Sequence, residues 1–329
     1  MKKWYVFVIS ILMFCLLVGC SMGNKTENEE EKSDKISIVC TIFPQYDWTR
    51  TILGDDVSNV ELNLLVQDGA NLHSYQPSAS DIAMISNADL VIYVGGESDQ
   101  WVEDAMENAV NENQLSISLI DAIGERVTEE VLVEGMEAEE EHEEQEAGEE
   151  IEYDEHVWMS IENAAIISKE IESSLEELNP QLAEEYQKNL QNYEAELQQL
   201  DEEYQTMVAQ ATTHTVVVGD RFPFHYLMDE YDILYYAAFP GCSADTEADF
   251  ETVIFLAEKL DEYHLAYVLT VENSNQSIAS TIIENTQNKD QSIAGLNSME
   301  TITNERMEAG DTYLSIMSSN LLVLQSVMN

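Results

Sequence analysis

Two sets of four short apolar runs, separated by helical patterns, are the strongest constraint on the fold of this chain. The first set lies between residues 36 and 121 and reads ISIVCTIF, VELNLLV, ADLVIYVG and LSISLID. The second set follows Thr213 and reads HTVVVGD, ILYYAAF, LAYVLTVE and SIAGLN. Strands that alternate with helices form βαβ units around a parallel sheet. The sequence therefore predicts an α/β protein of two lobes, each a parallel sheet flanked by helices.

A stripe of apolar residues between the two sets predicts one long helix. Its members recur at steps of four and three residues, the spacing of one helical face. They are Leu182, Tyr186, Leu190, Tyr193, Leu197, Leu200, Tyr204 and Met207. Asn179 and Pro180 suit the N-cap and the first turn, and about thirty residues at about 1.5 Å each would span about 45 Å. We therefore predict an N-terminal lobe at 36–178, a rigid linking helix at 179–211 and a C-terminal lobe at 212–329.

The first twenty residues have the pattern of a secretory signal. Two lysines precede an apolar run at 4–18, which is shorter than the ~20 residues that a membrane-spanning helix needs. The run closes on LVGC, which resembles the bacterial lipobox and would make Cys20 a lipidated residue at the start of the mature chain. The alternative is an ordinary signal peptide with an incidental cysteine. Residues 21–35 are polar and charged, which predicts a flexible tether. The expected location is the extracytoplasmic face of the cell membrane, with a lipid anchor.

The charge of the chain excludes some partners and favours others. There are 65 acidic against 13 basic side chains, for a net charge of −52. Such a surface repels nucleic acid and attracts cations. Thirteen of the twenty-two residues at 134–155 are acidic, and His142 lies among them. We expect this segment to be a solvated loop, which either gathers cations weakly or has no specific role.

Five motifs in order resemble the metal-binding lipoproteins of bacterial ABC importers, the family that carries zinc or manganese to a membrane permease. They are TIFPQYDWTRTILGD at 41–55, DGANLHSYQPSASDI at 68–82, DEHVWMS at 154–160, NPQLAEEYQKNLQNYEAEL at 179–197 and LNSME at 296–300. The resemblance extends from about residue 36 to residue 328. It implies a monomeric receptor that holds a metal ion between two lobes, performs no catalysis and delivers the ion to a permease.

Three residues are the expected metal ligands. His73 follows a predicted strand and precedes a helix opened by Ser78 and Asp81 at capping-box spacing. Loops at the carboxyl ends of parallel strands hold ligands in open α/β sheets, and imidazole nitrogens suit zinc. His73 and His156 both stand at the family's ligand positions. By the same resemblance LNSME supplies an acidic ligand, Glu300. We therefore expect Zn²⁺ as the bound ion, with Mn²⁺ as the alternative.

The family's remaining ligand, a histidine or a glutamate, has no clear counterpart. Aligning GDRFPFHY on the family motif puts Gly219 at the ligand position, and glycine has no side chain to offer. Asp220 could replace it, or could instead be a loop carboxylate that caps a helix. His225 falls further along an expected helix, where it would face solvent or the core.

Two other residues compete with Glu300. Glu272 ends a predicted strand, but it matches a family glutamate that usually does not touch the metal. Cys242 could supply a thiolate, which zinc accepts. It could also pair with Cys40, because an extracytoplasmic compartment permits disulfides. We expect a disulfide or two free thiols rather than a metal thiolate.

Two functions of other classes are set against the receptor. A secreted metalloenzyme would keep an open metal position for water with a general base nearby, but no HExxH motif occurs in the sequence. A member of the family without tight metal binding could act as an adhesin or take another solute. Two histidines with a glutamate and a thiol would favour zinc, whereas two histidines with two carboxylates would suit manganese.

Overall fold

A computed structural model describes residues 35–136, 152–243 and 247–329, and residues 36–329 form one compact unit. The predictions for Cys20, for nearly all of the tether and for His142 fall outside the described residues. Within the described ranges, no helix is both long and apolar enough to span a bilayer.

Two four-stranded parallel sheets form the centre of the unit. The first has the order β2-β1-β3-β4 and the second the order β6-β5-β7-β8, with every neighbouring pair parallel. The strands are β1 Ser37–Cys40, β2 Glu61–Leu64, β3 Leu90–Tyr93, β4 Leu115–Ser118, β5 Thr215–Phe222, β6 Leu234–Pro240, β7 Tyr267–Thr270 and β8 Ser292–Gly295. Six of the strands fall within the eight apolar runs, whereas β5 and β6 begin within their runs and extend beyond them by two residues and one residue. The predicted α/β fold of two parallel sheets is therefore confirmed.

Helices flank both sheets and connect successive strands. They are α1 Phe43–Leu53, α2 Ala79–Asn87, α3 Gln100–Met106, α4 Leu119–Ile123, α5 Ile161–Leu178, α6 Ala183–Gln210, α7 His225–Glu230, α8 Phe250–Glu262, α9 Ser277–Asn285, α10 Asn304–Glu308 and α11 Tyr313–Val327. The predicted Ser78–Asp81 capping box opens α2, with Ser78 Oγ accepting from the Asp81 amide.

The two central strands of the first sheet, β1 and β3, show why a buried parallel strand is apolar at nearly every position. Alternate side chains of β1 enter different clusters, because Ile38 packs in one core and Val39 in another. Leu90 and Val91 of β3 are divided in the same way. A parallel strand covered on both faces needs apolar residues at every position, not at every second one.

Helix α6 is the long helix, and its predicted stripe is its buried face. The buried residues are Tyr186, Leu190, Tyr193, Leu197, Leu200, Tyr204 and Met207. The helix begins at Ala183 rather than at Asn179, because Asn179 ends α5 and residues 179–182 form a turn. The Tyr186 hydroxyl donates to Asp56 Oδ2 at 2.6 Å, and the Tyr204 hydroxyl donates to the Met317 carbonyl at 2.7 Å. The helix thus contacts the N-terminal part near one end and the C-terminal part near the other.

The stripe of α6 generates a stability prediction. Leu197 is 1% exposed, whereas the next residue, Gln198, is exposed. We expect Leu197→Ala to lower the free energy of unfolding by about 2–5 kcal/mol, because it leaves a cavity in a packed core. The matched surface change Gln198→Ala should stay within about 0.5 kcal/mol of the parent. Urea unfolding measures both, and equal small effects would contradict the packing role of the stripe.

Candidate metal centre

The turn Leu72–Ser74, which follows β2, positions His73. The Asn71 side chain accepts from the His73 amide at 2.8 Å, and the buried Leu72 anchors the turn. The Nδ1 atom of His73 lies 2.7 Å from Ser98 Oγ and 3.5 Å from Glu155 Oε2. These partners orient the ring so that Nε2 points into the cleft between the sheets.

A carboxylate orients the second histidine. His156 is completely buried just before α5, and its Nδ1 atom lies 2.8 Å from Asp154 Oδ1. The Trp158 ring packs 5.2 Å from the imidazole, centroid to centroid. Burial alone would lower the pKa of His156, but the carboxylates of Asp154 and Glu300 outweigh it and raise the pKa to about 10. Without metal, His156 is therefore an imidazolium between two carboxylates.

Glu300 meets both histidines from the second half of the chain. Its Oε1 atom lies 3.1 Å from His73 Nε2 and 3.5 Å from His156 Nε2, and the two Nε2 atoms are 3.2 Å apart. Its Oε2 atom accepts from Arg221 Nη1 at 2.5 Å and from Ser298 Oγ at 2.8 Å. Burial alone would raise the pKa of Glu300, but the Arg221 guanidinium and the two imidazoles hold it well below its usual range.

The three interatomic distances fit a tetrahedral metal site. Ligands about 2.0–2.2 Å from a zinc ion at tetrahedral angles lie about 3.3–3.6 Å from each other. The Nε2–Nε2 distance of 3.2 Å and the two Nε2–Oε1 distances of 3.1 and 3.5 Å lie close to this range. The donor set of two imidazoles and one carboxylate oxygen is one that zinc accepts. These residues can therefore hold the ion with little rearrangement.

Gly219, the position at which the sequence lacks the family's remaining ligand, lies inside a strand rather than in a loop. Strand β5 does not end there but continues to Phe222, with a register shift between Val218 and Arg221. A Cβ atom at Gly219 would lie 2.8 Å from the Ala279 Cα, so the position has no room for a side chain. Asp220 is part of the strand, lines the cleft and accepts from the Arg221 amide.

In the segment Gly219–Phe222, the side chain that contacts Glu300 is that of Arg221. This residue was not identified from the sequence. The guanidinium is mostly buried, and Nη1 also donates to the Gly241 carbonyl at 3.3 Å. The irregular pairing of β5 was the missing information, since the strand was expected to end at Asp220. His225 begins α7 and lies 3.0 Å from the Tyr235 hydroxyl.

The end of the acidic segment is buried, which corrects the expectation of a solvated loop as far as the described residues go. Asp154 is 3% exposed and Glu155 is 4% exposed. Their carboxylates contact the two histidines, and such pairing makes burial of a charge tolerable. The DEH triplet, with an acid two residues before His156, is the signal that could have revealed this.

Glu272 lies behind the cluster. One of its oxygens accepts from the Ser298 amide at 2.8 Å, and the other lies 2.7 Å from the Ser298 hydroxyl, whose single proton is shared between Glu272 and Glu300. Trp158 Nε1 donates to the Ser298 carbonyl at 2.7 Å. The loop that carries Glu300 is thus fixed from both halves of the chain, and Glu272 supports it.

The two cysteines of the described residues are both free thiols. Cys40 is buried in β1, where its sulfur lies 3.9 Å from Thr49 Oγ1, and burial raises the pKa of its thiol to about 12. Cys242 follows β6, and its sulfur lies within 4.8 Å of one ring nitrogen each of His73 and His156. Burial and the neighbouring carboxylates raise the pKa of the Cys242 thiol. No disulfide joins them.

The cluster opens on a cavity of about 480 Å³ between the two sheets. His73, Arg221 and Cys242 line it together with Asn273 and Asn275. The cavity thus reaches His73, whereas His156 is completely buried behind it and is not among the lining residues.

Two parallel sheets with a buried cluster of imidazoles and carboxylates between them define a two-lobe α/β solute-binding protein. The family model described as zinc-uptake complex component A, periplasmic, matches residues 38–327. The chain belongs to this family, and the family predicted from its motifs is confirmed.

The relatives agree with the family. The zinc-binding lipoprotein AdcA of Streptococcus pneumoniae is 31% identical over 325 residues, which cover 99% of this chain and 61% of that protein. The chain thus spans less than two thirds of the length of that relative. The high-affinity zinc uptake system protein ZnuA of Bacillus subtilis is 28% identical over 327 residues, covering 98% of this chain and 97% of that protein.

Solved structures share the fold. The Zn(II)-bound ZnuA-like domain of Streptococcus pneumoniae AdcA has a TM-score of 0.68 at 27% identity, covering 89% of this chain and 99% of that one. The metal-dependent lipoprotein YcdH from Bacillus subtilis has a TM-score of 0.72 at 25% identity, with the same coverages.

The raised pKa of His156 generates a pH prediction for the metal-free protein. The stabilisation of the folded state by protonated His156 is complete below the unfolded-state pKa of about 6.5. It is lost as the pH rises through the folded-state pKa of about 10. Between these values the free energy of unfolding should fall by up to about 1.4 kcal/mol per pH unit from this group. His156→Gln should lack this component, whereas His214→Gln, at an exposed position, should keep it. Urea unfolding with chelator at several pH values measures the slopes. Equal dependence of the free energy of unfolding on pH in the parent and both variants would contradict the raised pKa of His156.

Proposed function

We propose that this protein is an extracytoplasmic receptor that captures a zinc ion between its two sheets and delivers it to an ABC permease. His73, His156 and Glu300 are the proposed ligands. The observation that carries the proposal is the convergence of three donor atoms at 3.1–3.5 Å from each other, which is close to the spacing around a tetrahedral ion.

The groups around the ligands support the same function. A ligating histidine usually bonds through its other nitrogen to a carboxylate or another acceptor, which fixes the ring and raises its basicity. His156 has Asp154 in this role, and His73 has Ser98 and Glu155. The ring orientations therefore exist before the metal arrives, so that little ordering opposes binding.

The charge balance of the cluster also favours a cation. The carboxylates of Asp154 and Glu300 lie on opposite sides of the His156 ring and raise its pKa, which favours positive charge at this point. A divalent ion that displaces the proton of His156 brings more positive charge to a buried, negatively charged environment. The net charge of −52 attracts cations toward the cleft over a longer range.

The lipid anchor and the permease partner are part of the proposal. The LVGC motif before Cys20 supports lipidation, and the Streptococcus pneumoniae relative is named a lipoprotein. A receptor tethered to the outer face of the membrane, acting as a monomer, remains near the permease that accepts its ion. We propose a binding protein rather than a metalloenzyme, because the family and its named relatives are uptake and binding proteins.

Substitution of the histidines tests the function. His73→Ala and His156→Ala should each weaken zinc affinity at least tenfold, a loss of about 1.4 kcal/mol or more, because each removes one of three donors. His214→Ala is the matched control at an exposed position and should bind as the parent does. Competition against a chromophoric chelator measures affinity and separates the tight site from weak surface binding. If both ligand variants bind zinc as tightly as the parent, the site lies elsewhere.

A further inference from the structure

We infer that Cys242 is the fourth ligand of the bound ion, so that the site consists of two imidazoles, one carboxylate oxygen and one thiolate. This inference rests on the proposed function and specifies the ion that the same site takes. It assigns a ligand where the sequence motif left a gap at Gly219.

The position of the sulfur is the first argument. Cys242 Sγ lies within 4.8 Å of a ring nitrogen of each histidine. Around a zinc ion, with bonds of about 2.0–2.1 Å to nitrogen and about 2.3 Å to sulfur, the nitrogen–sulfur separation is about 3.6 Å. A shift of about 1 Å, within reach of a side-chain rotation, brings the sulfur to bonding distance. Coordination joins the sulfur to the ion, and the thiol proton passes to water.

The loop that carries Cys242 is held against the histidines by three contacts. Gly241 packs on the His156 ring so closely that an added Cβ atom would lie 2.8 Å from Cε1. The Gly241 carbonyl accepts from Arg221 Nη1 at 3.3 Å, and the Cys242 amide donates to Glu130 Oε1 at 3.4 Å. The glycine before the cysteine is therefore a steric requirement of this approach. These contacts fix the backbone that carries the sulfur, and so hold the sulfur near the histidines.

Glu300, Glu272 and Asp220 each have at least one carboxylate oxygen engaged by a partner other than the histidines, whereas the Cys242 thiol lies close to both imidazoles. Glu300 presents only Oε1 to the histidines, because Oε2 accepts from Arg221 and Ser298. Glu272 accepts from Ser298, and one oxygen of Asp220 accepts from the Arg221 amide. Of the side chains of β5, β6 and the loops that follow them, Cys242 offers a ligand atom close to both imidazoles.

A thiolate determines which ions the receptor prefers. Soft sulfur ligands select zinc and its heavier relative cadmium, whereas manganese prefers oxygen ligands and higher coordination numbers. Glu300 binds through a single oxygen while Arg221 occupies the other, which also disfavours the additional oxygen contacts that manganese needs. The site is therefore expected to discriminate strongly for zinc and cadmium against manganese.

Cobalt(II) substitution in the full chain tests the inference, because a thiolate on cobalt gives an intense near-ultraviolet charge-transfer absorption. The parent loaded with one equivalent of cobalt should show this absorption. Cys242→Ser should lose it and bind zinc at least about tenfold more weakly, with little change in its weak affinity for manganese. Cys40→Ala removes the other cysteine of the described residues and should retain both the absorption and the zinc affinity.

The remaining outcomes separate this inference from the proposed function. Charge-transfer absorption that persists in Cys242→Ser overturns the assignment. Cobalt that binds the parent tightly without this absorption, and is lost in His73→Ala, also overturns it but leaves the receptor function intact. A parent that binds neither cobalt nor zinc tightly overturns both.

Discussion

The buried carboxylate of Glu300 is the group on which the cleft depends. A charge removed from water is tolerated only where it is paired and hydrogen-bonded. Arg221 and Ser298 engage one of its oxygens, and the two imidazoles of His73 and His156 face the other. Arg221 supplies the permanent positive charge among these partners, so its removal would weaken the compensation most. The proposed ion adds a stronger cation at the one oxygen that no guanidinium holds.

The topology brings these groups together because the carboxyl ends of the strands of both sheets face one cleft. His73 follows β2, Cys242 follows β6, and Glu300 lies in the loop after β8. Ligands of open α/β sheets bind in such crevices. The proposed ligands are separated from each other by long stretches of sequence, so only the folded chain brings them together. The helix α6 contacts both halves and helps to hold them at a fixed distance.

Most of the fold could be predicted from the sequence, because strands buried on both faces and a helix with one buried stripe leave plain periodicities. His73, His156 and Glu300 were also predictable, and all three meet in the cleft. Arg221 was not, because an irregularity in the pairing of β5 carries its side chain inward. The buried C-terminal end of the acidic segment was missed for another reason. Composition describes a segment on average, whereas Asp154 and Glu155 are stabilised by individual imidazole contacts.

X-ray absorption at the zinc edge, on protein loaded with one equivalent of zinc, tests the central claim most directly. A preformed tetrahedral site predicts a shell of about four ligands: two imidazole nitrogens and one oxygen at about 2.0–2.2 Å, and one sulfur at about 2.3 Å. Histidine rings should add their outer-shell scattering. A shell of six oxygens without imidazole scattering would place the ion on surface carboxylates and contradict the account.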